Sequence, residues 1–216
     1  IKFDIQLSDQ VRDSAQQLKQ TLNNYDFVWV AGSTHPLEHQ QIIAAHKLLC
    51  SSHKKSLLII APRHPEQFDK VANLLCDEKI AFGRWSAKDF IDQPVLLADT
   101  MGEMLTFFGA AHCAFIGGSL IDRGGHNPLE AAALATPVIT GPSYYNFKHI
   151  FPQLIAKNAC TEVDDSDALF DQLATYANSP EQAKLHGKEA FKIVQSNQGA
   201  IEKTLRCLTP YIVTKT

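Results

Sequence analysis

Five short, almost continuously apolar runs are the feature of this sequence that most constrains its fold. Each run is rich in β-branched or aliphatic residues and precedes a longer segment whose apolar residues recur with helical spacing. A strand that is apolar on both faces must be covered on both faces, as in a parallel sheet between two layers of helices. The runs are DFVWVAG (26–32), SLLIIAP (56–62), PVLLAD (94–99), CAFIGG (113–118) and TPVITG (136–141).

The alternation of strands and helices predicts an α/β fold, a Rossmann-like doubly wound parallel sheet. A leading helix is expected over 8–24, with Ser8 as its N-cap. The sequence has no internal repeat and no linker, so we predict a single domain over residues 1–216. The other predicted helices cover 37–49, 65–78, 101–111, 127–135, 169–178 and 180–195.

Composition excludes some partners without naming one. The net charge of −3 and the pI of about 6.3 do not provide the positive field that nucleic acids require, so we expect no nucleic-acid partner. No apolar run approaches the roughly 20 residues of a spanning helix, and Ile1 is not a start methionine. We therefore expect a soluble fragment or trimmed domain, with any signal or anchor upstream. The cysteines are single and widely spaced, which predicts buried free thiols in a reducing compartment: Cys50, Cys76, Cys113, Cys160 and Cys207.

A polar loop follows each of the five predicted strands. In a doubly wound sheet, ligands bind outside the carboxyl ends of the strands, where these loops begin. Loops of this polarity, rich in Gly, Ser, His and Arg, therefore predict a binding site at one edge of the sheet. The loops are AGSTHP (31–36), APRHPE (61–66), ADTMGE (98–103), GGSLIDRGGHN (117–127) and TGPSYYNF (140–147).

The segment GGHNPLE (124–130) has the features of a phosphate site. Asn127 is a typical N-cap and Pro128 is typical of the first helical position. The helix N-terminus offers unpaired N–H groups, and Gly124 and Gly125 allow an anion to approach the backbone closely. Glu130, three residues after the cap, either accepts hydrogen bonds from sugar hydroxyls or completes a capping box; the spacing leaves both readings open.

Two further loops offer anion-binding groups. Arg63 and His64 follow a strand directly, where an arginine can hold a phosphate or carboxylate with two hydrogen bonds. The alternative is an arginine solvated on a surface loop. Gly102 and Glu103 open another predicted helix, which is either a second anion site or an ordinary cap.

Other kinds of site are not indicated. His35, Glu38 and His39 occur in the order H-P-L-E-H, which is not the H-E-x-x-H of zinc proteases, so we expect no metal. The glycine spacing matches neither a dinucleotide fingerprint nor a P-loop, and no G-x-S-x-G elbow is present. We expect no cofactor.

Taken together, the loops resemble the C-terminal half of the 3-deoxy-D-manno-octulosonic acid (Kdo) transferases of lipopolysaccharide synthesis. The resemblance covers roughly residues 28–150 in motifs. It implies the C-terminal half of a GT-B glycosyltransferase, here the nucleotide-sugar domain without its N-terminal acceptor domain. The motifs are AGSTH, PRHPE, ADTMGEM, FIGGSLIDRGGHNPLEAA and PVITGPSYYNFKHI.

This resemblance implies a specific activity. The family's donor is CMP-Kdo, and the complete enzyme transfers Kdo to the lipid A precursor, lipid IVA, with inversion of the anomeric centre and release of CMP. The reaction takes place at the cytoplasmic face of the bacterial inner membrane, with which the full-length enzyme is associated. Its general base belongs to the N-terminal domain, so no catalytic residue is expected in this chain, and the isolated chain is expected to bind the donor and transfer nothing. Helix N-termini and arginine can stabilise the departing CMP without a metal.

The resemblance also implies donor-binding roles for individual residues. The phosphate is expected at Asn127, and the ribose hydroxyls at Glu130. Ser33 and Ser119 are expected to meet the Kdo group. Residues assigned to the nucleotide are Pro62, Arg63 and His64, with Met101, Gly102 and Glu103 on the cytidine side. The remaining expected contacts are Gly118, Gly124, Gly125 and His126, with Asn146 and Lys148 closing the pocket.

Two other functions remain open. UDP-sugar 2-epimerases share this type of fold and a similar E-A-A-x-x-x-x-P-V pattern, so the chain could be an isomerase domain. A nucleotide-binding module without turnover is the non-enzymatic alternative. A comparison of CMP with UDP ligands separates the first alternative from a Kdo transferase.

Overall fold

The computed structural model describes residue 5 and residues 7–197, in which seven strands form one parallel sheet with helices on both faces. The strands are β1 Phe27–Thr34, β2 Ser56–Pro62, β3 Phe82–Arg84, β4 Val95–Leu97, β5 Cys113–Ile116, β6 Val138–Thr140 and β7 Cys160–Glu162. The helices are α1 Asp9–Thr21, α2 His39–Ser52, α3 Phe68–Asp77, α4 Met104–Ala110, α5 Leu129–Ala133, α6 Phe151–Ala156, α7 Ser166–Asn178 and α8 Pro180–Asn197.

The doubly wound α/β fold predicted from the sequence is confirmed. All five predicted strands are present, and β2 has the predicted bounds. Ser8 caps α1, where its side chain accepts a hydrogen bond from the backbone N–H of Val11 at 3.3 Å. The edge strands β3 and β7 and the short helix α6 were not predicted. The sequences FGR and CTE lack the continuous apolar run that marks β4 and β6, and a six-residue helix is too short to reveal a period.

Both faces of the sheet are buried, as the continuous apolar runs require. Along β1, Val28 and Val30 belong to one core layer, whereas Trp29 and Ala31 belong to the other. The first layer packs the sheet against α1, α4, α5 and α8, and the second packs it against α2, α3 and α7. Strand residues therefore alternate between two apolar cores, neither of which is open to solvent.

The strand order is β3-β4-β2-β1-β5-β6-β7, with every neighbouring pair parallel. Val30 of β1 lies opposite Ile59 on one side and Ala114 on the other. From β1 the chain passes to β2 and on to the edge strand β3, and it then places β4 between β2 and β3. It next returns to place β5 on the other side of β1. This reversal between β1 and β5 is the topological switch point, where a crevice opens at the carboxyl ends of the strands.

The cysteine prediction is only partly confirmed. Cys113 and Cys160 are buried and free, and burial raises the pKa of both thiols. Cys50 is half-buried, and Cys76 is exposed. Burial was therefore wrong for Cys76, because α3 turns Val71, Ala72 and Leu75 towards the core and leaves this position facing solvent. Cys207 lies outside the described residues.

None of the helices in the described part of the chain is both long and apolar enough to cross a bilayer.

Candidate functional site

A cavity of about 590 Å³ lies at the carboxyl ends of the strands around the switch point. Gly32 and Ser33 of β1, Pro62 of β2 and Ile116 of β5 form its base, together with the loops that follow them. Its volume is within the range of small-molecule sites. The predicted ligand edge of the sheet is therefore concave.

Predicted site residues from four loops meet in this cavity. They come from β1 and from the segments that follow β2, β4 and β5, although 97 positions separate Ser33 from Glu130 in the sequence. The predicted residues that line the cavity are Ser33, Pro62, Arg63, Met101, Gly102, Glu103, His126, Asn127 and Glu130.

Other predicted residues do not line the cavity. Ser119 is fully buried; its hydroxyl donates to the Ile116 carbonyl at 2.6 Å and accepts from the Gly141 N–H at 2.8 Å. Asn146 donates to the Arg123 carbonyl at 2.9 Å, which ties two loops together. The structure thus gives Ser119 and Asn146 contacts with the protein's own backbone. His64 and Lys148 are exposed, and Gly118, Gly124 and Gly125 are buried.

One side of the cavity is a polar wall formed by Ser33, His126, Asn127 and Glu130. The Asn127 side-chain oxygen accepts a hydrogen bond from the Leu129 N–H at 3.1 Å, and helix α5 begins at Leu129 with Pro128 as its capping residue. The expected start at Pro128 was therefore one residue too early. The cause is that the Asn127 side chain closes a turn over the next two residues before the helix begins.

The Glu130 carboxylate faces the cavity on this wall. Its contact within the protein is the Asn127 side-chain amide at 3.5 Å, not the backbone N–H that a capping box uses. Burial raises the pKa of Glu130, whereas the Asn127 amide and the charge of Arg63 lower it. The carboxylate has acceptor capacity that the protein leaves unused, which suits a ligand carrying hydroxyl groups.

Paired imidazoles stand beside the polar wall. The Nε2 atoms of His35 and His126 are 2.7 Å apart, and the edge of His64 faces His35 with ring centroids 5.7 Å apart. The pKa of His126 is lowered to about 4, first by burial and then by His35 and Arg63. Since a hydrogen bond between two Nε2 atoms requires one donor and one acceptor, at least one ring is neutral.

The opposite side is an outer wall formed by residues 100–103. The Glu103 carboxylate accepts hydrogen bonds from the Trp85 indole N–H at 2.9 Å and from the Thr100 hydroxyl. Met101 is 54% exposed, and Gly102 has a φ of 92°. Helix α4 begins only at Met104, so the expected helix start at these residues is a loop.

Sequence analysis missed the apolar part of the lining. Phe107 and Phe108 of α4 and Ile116 of β5 form it. Such residues carry no signal of their own, because an aromatic pair in a helix and an aliphatic residue in a strand resemble ordinary core positions. Glu38 and His39 carry a sequence pattern that suggests nothing beyond metal ligation. In the structure the His39 Nε2 lies 3.0 Å from the Thr34 hydroxyl, and Glu38 contacts backbone groups.

Fold and cavity together define the chain as a Rossmann-like domain of the GT-B glycosyltransferase class. The structure matches the crystal structure of the C-terminal CMP-Kdo binding domain of WaaA from Acinetobacter baumannii with a TM-score of 0.81 and 34% identity, covering 87% of this chain and 100% of that one. The 3-deoxy-D-manno-octulosonic acid transferase of Haemophilus influenzae is 36% identical over 215 residues. This chain belongs to the Kdo transferase family.

The matched region is only part of the related enzymes. The alignment with the Haemophilus influenzae protein covers 98% of this chain and 50% of that protein, so the chain spans about half the length of such relatives. No protein-family model matches. A UDP-N-acetylglucosamine 2-epimerase from Listeria monocytogenes, itself so named only putatively, has a TM-score of 0.58 at 10% identity over 87% of this chain and 47% of that one, which shows a shared fold alone.

Proposed function

We propose that this chain binds CMP-Kdo and presents it for transfer to the lipid A precursor, as the donor domain of an inverting glycosyltransferase. The observation that best supports this proposal is that Arg63, Asn127 and Glu130 line one cavity at the switch point of the sheet. A cation, an amide and a carboxylate match a phosphate linked to a ribose. The similarity to a CMP-Kdo binding domain supports this choice of ligand.

The proposed pose runs from the outer wall to the polar wall. Cytosine lies towards Met101 and the apolar part of the lining, to which the almost fully buried Phe107 and Phe108 belong. Arg63 and Asn127 hold the phosphate, and Glu130 accepts hydrogen bonds from the ribose hydroxyls. The Kdo group then extends towards Ser33 and His126.

In the proposed reaction, a hydroxyl of the acceptor attacks the anomeric carbon of Kdo, and the bond from that carbon to the phosphate oxygen breaks. Negative charge develops on the departing CMP, which Arg63 and nearby backbone N–H groups are positioned to stabilise. A general base must take the proton of the attacking hydroxyl. We assign that base to the part of the enzyme beyond this chain, so the chain alone is expected to bind the donor without turnover. The complete enzyme would act at the cytoplasmic face of the bacterial inner membrane.

The test is calorimetric titration with CMP, 2′-deoxy-CMP, UMP and AMP. Wild type should prefer CMP, and Arg63→Ala should weaken CMP binding by about 10- to 100-fold, the usual range for a hydrogen bond to a charged group. Glu130→Ala should weaken CMP similarly but leave 2′-deoxy-CMP almost unaffected, because that ligand lacks a hydroxyl for the carboxylate to hold.

Arg12→Ala and Glu181→Ala are matched controls, since both residues are exposed and do not line the cavity. Equal affinity of wild type for CMP and UMP would contradict the cytidine assignment, and a preference for UMP would favour the epimerase alternative. Unchanged CMP affinity in both site variants would contradict the proposed site itself.

A further inference from the structure

Glu38 is a fully buried carboxylate at the switch point. It immediately precedes α2, and its side chain is 0% exposed. One oxygen, Oε2, accepts hydrogen bonds from the backbone N–H of Gly118 at 2.6 Å and of His35 at 2.8 Å. The other oxygen, Oε1, is buried and has no hydrogen-bond partner among the described residues. Burial raises the pKa of this carboxyl, and the backbone N–H groups oppose that rise.

The two N–H groups belong to the segments that directly follow β1 and β5, the two strands that separate at the crevice. β1 and β5 remain paired as far as the hydrogen bond from the Gly117 N–H to the Gly32 carbonyl at 2.8 Å. Beyond this hydrogen bond the two segments of the chain diverge. The next backbone N–H groups therefore lose their partner in the neighbouring strand. The Glu38 Oε2 is the missing acceptor for the N–H groups of both segments, those of Gly118 and His35.

From these two points, hydrogen bonds continue to the polar wall. The Gly118 carbonyl accepts from the Gly125 N–H at 2.9 Å, and the Gly117 carbonyl accepts from the His126 N–H at 3.2 Å. His35 in turn meets the His126 ring through the two Nε2 atoms. Glu38 itself does not line the cavity, yet the loops it joins carry Ser33, His126 and Asn127 into it.

We infer that Glu38 is a positioning residue, whose Oε2 sets the spacing of the β1 and β5 loops and thereby the geometry of the polar wall. Both donors are neutral backbone N–H groups, so the contact requires an acceptor oxygen at this position and no cationic partner. Glutamine presents the same oxygen at the same reach, whereas alanine removes it and aspartate falls short by one methylene.

The experiment measures amide hydrogen exchange in the ligand-free chain for Glu38→Gln, Glu38→Asp and Glu38→Ala. We expect exchange at the Gly118 and His35 amides to accelerate at least about tenfold in the alanine variant, since a buried N–H loses its acceptor. The glutamine variant should retain wild-type protection. Exchange within α7, on the far side of the second core layer, should not change. If the alanine variant does not fold, the aspartate variant provides the same comparison.

A second readout is CMP affinity. This readout rests on the proposed function, whereas the exchange measurement is independent of it. Binding should fall at least about tenfold in the alanine or aspartate variant and stay within about threefold of wild type in the glutamine variant. Wild-type exchange in the alanine variant would overturn the inference, and so would a glutamine variant as perturbed as alanine. Failure of wild type to bind CMP would instead contradict the proposed function, and the exchange result would still decide the role of Glu38.

Discussion

The two walls of the cavity are built in opposite ways. The polar wall stands on loops that backbone hydrogen bonds and the buried carboxylate of Glu38 join to each other. The outer wall depends mainly on the Glu103 carboxylate, with Trp85 and Thr100 as its partners, and its tip is exposed at Met101. The polar wall is therefore joined by contacts between several loops, whereas within residues 100–103 the side-chain hydrogen bond to another element is the one between Glu103 and Trp85.

The difference follows from the topology. The polar wall lies between β1 and β5, where the chain must satisfy the N–H groups that the diverging strands release. The outer wall follows β4, a three-residue strand that is next to the edge of the sheet. A site with one fixed wall and one loosely held wall can orient a phosphate and ribose rigidly while adapting to the base.

The largest expected effect comes from an added methyl group in the fixed region. A Cβ on Gly117 would lie 2.5 Å from the Ser33 carbonyl oxygen and 2.7 Å from the Thr34 Cα, and backbone atoms cannot move aside easily. Gly117→Ala should lower the free energy of unfolding by about 2–3 kcal/mol in denaturant titrations.

Gly102→Ala is the matched variant in the outer wall. A Cβ there meets nothing within 4 Å, so only the φ of 92° opposes it, and we expect a loss of about 1 kcal/mol. Equal losses for the two variants would contradict the contrast between the walls.

A smaller effect is expected from the charge of Glu130. Its pKa in the folded chain is raised above the ordinary value of 4.5, so between these two pKa values the folded state binds more protons than the unfolded state. Stability contributed by this group is therefore present below pH 4.5 and lost as the pH rises. Glu130→Gln should be more stable than wild type at pH 7, by less than about 1 kcal/mol because solvent screens a half-buried group.

Thermal or denaturant unfolding across pH checks this prediction, with the exposed Glu66→Gln as a control. The advantage of Glu130→Gln should disappear below pH 4.5, while its CMP affinity should be reduced at pH 7. A variant less stable than wild type at pH 7 would show that the carboxylate supports the fold instead of serving a ligand.

The smallest effect is expected at the exposed tip of the outer wall. Met101→Ala should change the free energy of unfolding by no more than about 0.5 kcal/mol, because the side chain is 54% exposed. CMP affinity should fall by no more than about fivefold, the contribution of a partly buried apolar contact. A loss of 100-fold in titration would mean that this wall is as decisive as the polar one.

The sequence predicted the parts of the fold that have strong periodicity and the loops that have unusual composition. Arg63 was predicted from its position after a strand, and Asn127 and Glu130 from their positions at the start of a helix; all three meet in the cavity. The expected contact of Ser119 with Kdo stays a prediction, because a serine in a glycine-rich loop looks the same whether it faces a ligand or closes a backbone turn. The bridging contacts of Glu38 join residues 80 positions apart, and no local pattern encodes a pair at that separation.

Because Trp85 donates a hydrogen bond to Glu103, tryptophan fluorescence can report on the outer wall. The chain has two tryptophans, and Trp29 is fully buried with its indole N–H on the His46 Nδ1 at 3.1 Å. Trp85 instead reports on the carboxylate that anchors the adaptable side of the cavity. The emission of Trp85 should shift when a nucleotide moves that wall, while Trp29 serves as an internal reference, so ligand entry can be followed in real time without a label.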